Sequence, residues 1–98
     1  MAEVRVVVQY TADSPAAADK RIAGMIDRCR KTEAEEPGCL QYELFRSALR
    51  PTEFAMLERW ESREALDQHL QRFRKNPSPP APGITSVIEI YDREIARL

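Results

Sequence analysis

The sequence predicts an α+β domain of order βαββαβ, a four-stranded antiparallel sheet with two helices on one face, the ferredoxin-like arrangement. Three observations carry that prediction. Apolar residues alternate with the two-residue period of a strand in four stretches, and they recur at helical spacing in two others. The second and third strand stretches are joined by a connection short enough to require an antiparallel hairpin. At 98 residues the chain makes one domain, residues 1–98, and a domain this small buries only about two-thirds of its unfolded surface.

From Val4 to Tyr10, Val4, Val6, Val8 and Tyr10 alternate with Arg5, Val7 and Gln9, which predicts the first strand. Asp13 and Ser14 then precede Pro15, a capping residue followed by a proline at the first helical position, where its missing N–H costs nothing. The helix that starts there has an apolar stripe of Ala18, Ile22, Met25, Ile26 and Cys29, with Lys20, Arg21, Asp27, Arg28 and Lys31 on its solvated side. Glu35 and Glu36 oppose the helix dipole at its end, and Pro37 prevents continuation, so it stops near Glu35. Pro37 and Gly38 suit the second and third positions of a turn, the glycine tolerating a positive φ.

The second strand, Cys39 to Arg46, is expected to place Leu40, Tyr42 and Leu44 on one face and Cys39, Gln41, Glu43 and Phe45 on the other. After the polar turn Leu49-Arg50-Pro51-Thr52, the third strand runs from Glu53 or Phe54 to Trp60, with Phe54, Met56, Glu58 and Trp60 opposite Ala55, Leu57 and Arg59. Ser62 caps the second helix and Glu64 adds a favourable charge in its first turn. Ala65, Leu66, His69, Leu70 and Phe73 share its apolar face, which turns the only histidine toward the sheet. Asn76 to Gly83, with four prolines, reads as a stiff extended connector. The last strand sets Ile84, Ser86, Ile88 and Ile90 against Thr85, Val87, Glu89 and Tyr91, and Asp92 to Leu98 form a tail able to reach a partner.

Two helices cover one side of such a sheet, yet Val7, Phe45, Leu57, Val87 and Tyr91 make the other side apolar as well. An apolar face of that kind marks an interface, and the expected assembly is a symmetric homodimer with two sheets face to face.

Composition removes several classes of function. A net charge of -1 and the lack of a long basic run give no footprint for nucleic acid or an anionic membrane. The first residues carry an acid where a secretory signal would be basic, and no apolar run reaches membrane-spanning length, so the expected location is cytoplasmic. Cys29 and Cys39 have neither a disulfide framework nor CxxC spacing and read as reduced core thiols. One histidine and two distant cysteines form no ligand cluster for zinc or non-haem iron. Three separated glycines hold no phosphate-binding loop, and the aromatic, basic strand motif of RNA-binding sheets is missing.

Glu36-Pro37-Gly38-Cys39-Leu40, Tyr42-Glu43-Leu44, and Glu58-Arg59-Trp60-Glu61-Ser62 with Ala65-Leu66 and His69-Leu70 resemble the antibiotic biosynthesis monooxygenase family of the dimeric α/β-barrel superfamily. The resemblance covers most of the chain and is strongest from Glu35 to Leu70. It implies a small cofactor-independent oxygenase acting with O₂ on quinol-like or polycyclic phenolic substrates between sheet and helices. Haem-degrading relatives carry an axial histidine after the second helix, where this chain has Arg74-Lys75-Asn76-Pro77, a departure that argues against haem. The alternative, a non-oxidative ligand-binding or accessory protein or an isomerase, would use the same cleft.

Such oxygenation needs a base for a phenolic proton, a dry pocket for the anion beside O₂, and a donor to steady a developing oxyanion. His69, whose unperturbed pKa is close to neutral, is the expected base. Trp60, Tyr42, Phe45 and Phe73 are the expected aromatic walls, and Arg59 or Gln9 the oxyanion donor. Plainer roles compete: Trp60 and Tyr42 as core residues, and Glu58 as the partner of a cation across the sheet.

Overall fold

The computed structural model describes residues 3–93 and 95–98. Its elements are β1 (Val4–Ala12), α1 (Pro15–Glu35), β2 (Cys39–Arg46), β3 (Glu53–Trp60), α2 (Arg63–Lys75) and β4 (Ile84–Tyr91). The sheet has the order β2-β3-β1-β4 with every neighbouring pair antiparallel, the ferredoxin-like topology. β1 runs two residues past Tyr10 because Thr11 pairs with both Glu53 and Thr85, and Ala12 with Ile84.

Local chemistry explains where the helices begin. The Ser14 and Ser62 hydroxyls accept the backbone N–H groups of Ala17 and Ala65, each at 3.1 Å, satisfying donors that the first turn leaves free. α1 ends in the turn Glu36–Cys39, closed by the Cys39 N–H donating to the Glu36 carbonyl at 3.2 Å. Gly38 sits there at φ 79°, and a Cβ on it would lie 2.6 Å from the Ala65 Cβ. Glycine therefore serves both the turn and its close approach to α2. The Glu61 N–H donates to the Gly38 carbonyl at 2.9 Å, which docks the end of α1 against the start of α2.

The core lies between helices and sheet. Val4, Val6 and Val8 of β1, Met56 and Trp60 of β3, and Tyr42 of β2 meet Met25 and Cys29 of α1 and Ala65 and Leu66 of α2. A second cluster joins Ala12, Ala18 and Phe54.

Two expectations need correction. In β2 the register shifts between Cys39, which faces Trp60, and Gln41, which faces Arg59, leaving Leu40 as an extra residue. This bulge turns Cys39 inward beside Tyr42 and Leu44, and Leu40 outward at 46% exposure. In α1 the buried stripe is Ala18, Met25, Cys29 and Thr32, while Ile26 is exposed. The inward side of α1 is therefore rotated, and Arg21 and Arg28 come to line space above the sheet. The tail folds back in this chain, with Arg97 Nη2 3.2 Å from Glu3 Oε2.

Candidate functional site

His69 lies at the end of the second turn of α2 and is buried. Its ring centroid lies 4.7 Å from Trp60 at an interplanar angle of 31°, 5.3 Å from Tyr42 and 6.2 Å from Phe73. Nδ1 is 2.8 Å from Oε1 of Glu36, and Arg72 Nε donates to the same oxygen at 3.0 Å. A carboxylate only accepts, so the shared hydrogen sits on Nδ1 and the neutral ring keeps its lone pair on Nε2. Among the described residues Nε2 has no hydrogen-bond partner. The Glu36 carboxylate thus fixes ring orientation and tautomer, as a carboxylate does for a catalytic or metal-binding histidine.

His69 forms part of the wall of a cavity of about 340 Å³ between sheet and helices. Val6, Val8, Tyr10, Tyr42, Met56 and Glu58 form its floor. Arg21, Met25, Arg28 and Cys29 come from α1; Leu66, His69, Leu70 and Phe73 from α2; Ile88 and Ile90 from β4; and Ser78 and Pro79 from the connector. An apolar cavity of about 150 Å³ already accepts benzene, so this volume admits a fused ring system. On the far side of His69 a second cavity of about 380 Å³ opens between the end of α1 and α2, lined by Thr32, Glu36, Arg72 and Asn76 among others.

Glu58 is the one carboxyl on the cavity wall. It is 6% exposed, and its Oε1 accepts the Trp60 indole N–H at 3.0 Å. Burial pushes its carboxyl up to about 7; the indole hydrogen bond opposes that shift and the Glu36 charge adds to it. The partner of Glu58 is therefore an indole, where a cation across the sheet was expected. Near neutral pH the group is divided between carboxylic acid and carboxylate and can give or take a proton. Burial also raises the Tyr42 phenol far above its ordinary range and the Tyr10 phenol to about 12. It lifts the Cys29 and Cys39 thiols to about 11 and about 12, which keeps both protonated and poorly nucleophilic at neutral pH.

The expected site residues separate into two groups. His69, Tyr42 and Phe73 come together at the cavity, with Trp60 behind His69, fully buried and not on the wall. Phe45, Arg59 and Gln9 do not reach it. Phe45 and Gln9 both pair with Ala55 on the opposite face of the sheet, and Arg59 pairs with Arg5 there and donates to Glu3 at 2.9 Å. Their place follows from strand alternation, since each neighbours in sequence a residue that points inward. The expected oxyanion donors thus lie across the sheet from the imidazole. Sequence reading passed over two participants, the Glu36 side chain and Glu58 as a cavity group. The signals were two acids ending a helix whose last turn has no basic residue, and an acid in step with Phe54, Met56 and Trp60.

A largely apolar cavity with one oriented imidazole, open to solvent along β4 where Ile88 is exposed, has the form of a small-molecule site on a ferredoxin-like sheet. The chain belongs to the antibiotic biosynthesis monooxygenase family, whose profile matches residues 4–73. No protein among curated sequences matches it. A solved structure from Caulobacter crescentus, described as a candidate antibiotic biosynthesis monooxygenase, is 30% identical, with 95% of this chain and 91% of that chain covered and a TM-score of 0.72. SnoaB from Streptomyces nogalater, described as a cofactor-independent oxygenase, shares the fold at 18% identity, with 96% and 95% covered and a TM-score of 0.62. A conserved protein from Methanosarcina mazei shares it at 21% identity, with 96% and 95% covered and a TM-score of 0.72. Among the described residues no helix is long and apolar enough to cross a membrane.

Proposed function

We propose that this chain is a cofactor-independent monooxygenase that oxidises a small phenol or quinol with O₂ in the cavity beside His69. The observation that carries the reading is the Glu36–His69 pair, which leaves a lone pair on Nε2 of a ring that helps enclose about 340 Å³ of largely hydrocarbon-lined space. His69 takes the phenolic proton, and Glu36 stabilises the imidazolium that results. The apolar lining keeps the bound phenolate electron-rich, and it gives its electrons to O₂ as a carbon–oxygen bond forms at a ring C–H carbon. Loss of that carbon's proton and cleavage of the O–O bond leave a carbonyl on the ring, and the second oxygen departs as water. The substrate supplies all four electrons, so the balance requires no external reductant. Glu58, near half-protonated at neutral pH, is the second group able to carry a proton during O–O cleavage. The working unit in this proposal is a homodimer joined through the open faces of two sheets.

Oxygen uptake with a panel of hydroquinones and naphthols tests the reading. Wild type is expected to consume one O₂ per ring, and His69→Ala to lose about 100-fold or more of the rate. Binding without uptake would identify a non-oxidative ligand-binding protein, and undiminished uptake in the variant would remove His69 as the base.

A further inference from the structure

We propose that the cavity selects aromatic ligands bearing an anionic group, a carboxylate above all, and that Arg21 and Arg28 of α1 hold it. This rests on reading the cavity as the substrate site and adds the class of substrate. The two arginines stand seven residues apart, two helical turns, so both fall on one side of α1, and both line the cavity. Gly24 lies between them on the same wall, and nothing is within 4 Å of where its Cβ would be. At Gly24 the stretch of helix surface between the two arginines therefore carries no side chain and has nothing packed on it.

Among the described residues neither charge has a counter-ion. Arg46, Arg59, Arg63 and Arg72 each pair with an acid, whereas among the described residues Arg21 and Arg28 pair with none. Nε of Arg21 is buried without a hydrogen-bond partner, an unfavourable state that an incoming acceptor relieves. Arg28 lies 4.8 Å over the Phe73 ring and donates to the Ser78 hydroxyl at 3.3 Å and to the Asn76 carbonyl. Those neutral partners fix its position and leave its charge unmatched. Glu58, the one carboxyl on the cavity wall, is engaged by Trp60 and pairs with neither arginine. A planar carboxylate matches the guanidinium fork, and a ligand held there on α1 can extend its ring toward the imidazole on α2.

The test compares 2-naphthol with 6-hydroxy-2-naphthoic acid, the same ring system without and with a carboxylate, by isothermal titration at neutral pH and low salt. Wild type is expected to bind the acid about tenfold or more tightly than the naphthol. Arg21→Gln and Arg28→Gln should each shrink that ratio, and the double variant should bring it close to one. Arg28→Lys should keep part of the preference, because it retains the charge without the fork. Lys20→Gln removes the same charge from the exposed side of α1 and should leave the preference intact. Equal affinities in wild type, binding of neither compound, or a preference that survives in the double variant would overturn the proposal. Oxygen uptake separates the two readings. Acid preference without uptake removes the oxygenase alone, and uptake of neutral naphthols at the same rate as acids, with no binding preference, removes the selectivity alone.

Discussion

Strands β3 and β4 flank β1 and carry similar apolar alternation, yet one is buried and the other bare. Val8 pairs with Met56 on one side and with Ile88 on the other, and all three point to the helix side of the sheet. Met56 is 3% exposed and Ile88 64%. Residue type does not account for the difference; what lies above each strand does. α1 and α2 pack over β1, β2 and β3, so the inner side of β4 faces the cavity. One edge of the sheet supplies the core and the other the room for a ligand, a division that lets a small domain keep both.

The widest contrast between these two strands comes from Trp60, which is fully buried at the end of β3 and touches Tyr42, His69 and Glu58. Trp60→Ala should cost roughly 3–5 kcal/mol in chemical denaturation, through lost burial and the cavity left behind. A loss below about 1 kcal/mol, the range of exposed substitutions, would mean that β3 is no better covered than β4.

Glu58 sharpens the comparison by pH, because it is a carboxyl placed in the covered strand. Its folded pKa of about 7 stands above the unfolded value of 4.5. A raised folded pKa means that the neutral form is favoured by folding: the relative stability is complete below about pH 4.5 and is lost as pH rises through about 7. The difference of about 2.5 units corresponds to about 3 kcal/mol by the linkage constant. Glu58→Gln holds the group neutral, so its stability relative to wild type should rise by that order between pH 5 and about pH 9. Urea midpoints across that range measure it, and a pH-independent difference would show that water reaches the carboxylate.

How far these features could be read in advance depended on how local their causes are. Both serine caps, the turn at Gly38 and the helix-facing alternation of β1 and β3 are set by neighbours in sequence, and all were legible. The β2 bulge was not, because register belongs to a pair of strands and Cys39 reveals its inward position only against Trp60. Arg21 and Arg28 read as solvated for a related reason. Their side of α1 looks polar, and only the lack of helix cover over β4 turns that side into a cavity wall. Phe45, Arg59 and Gln9 are a different case, since alternation alone forbids Arg59 from sharing a face with Glu58 and Trp60. That information is in the sequence, since the residues on either side of Arg59 both point inward.

The smallest expected effect on the folded chain lies on the open side of β4. Val87 is 61% exposed and Tyr91 48%, and with Phe45 at 45% they form an apolar surface that neither helix touches. In a lone chain, Val87→Lys should change stability by less than about 0.5 kcal/mol, since nothing packs on the side chain and lysine suits an edge strand. If two sheets meet face to face, the same lysine enters the interface from both copies and brings like charges into desolvated space. Light scattering should then give a dimer for wild type and a monomer for the variant at the same concentration. Dimerisation stabilises the folded state by mass action, so the wild-type melting temperature should rise with protein concentration while that of the variant stays constant. A wild-type monomer whose melting temperature ignores concentration would leave this face of β4 bare in solution, and both its sides would then be open for want of cover.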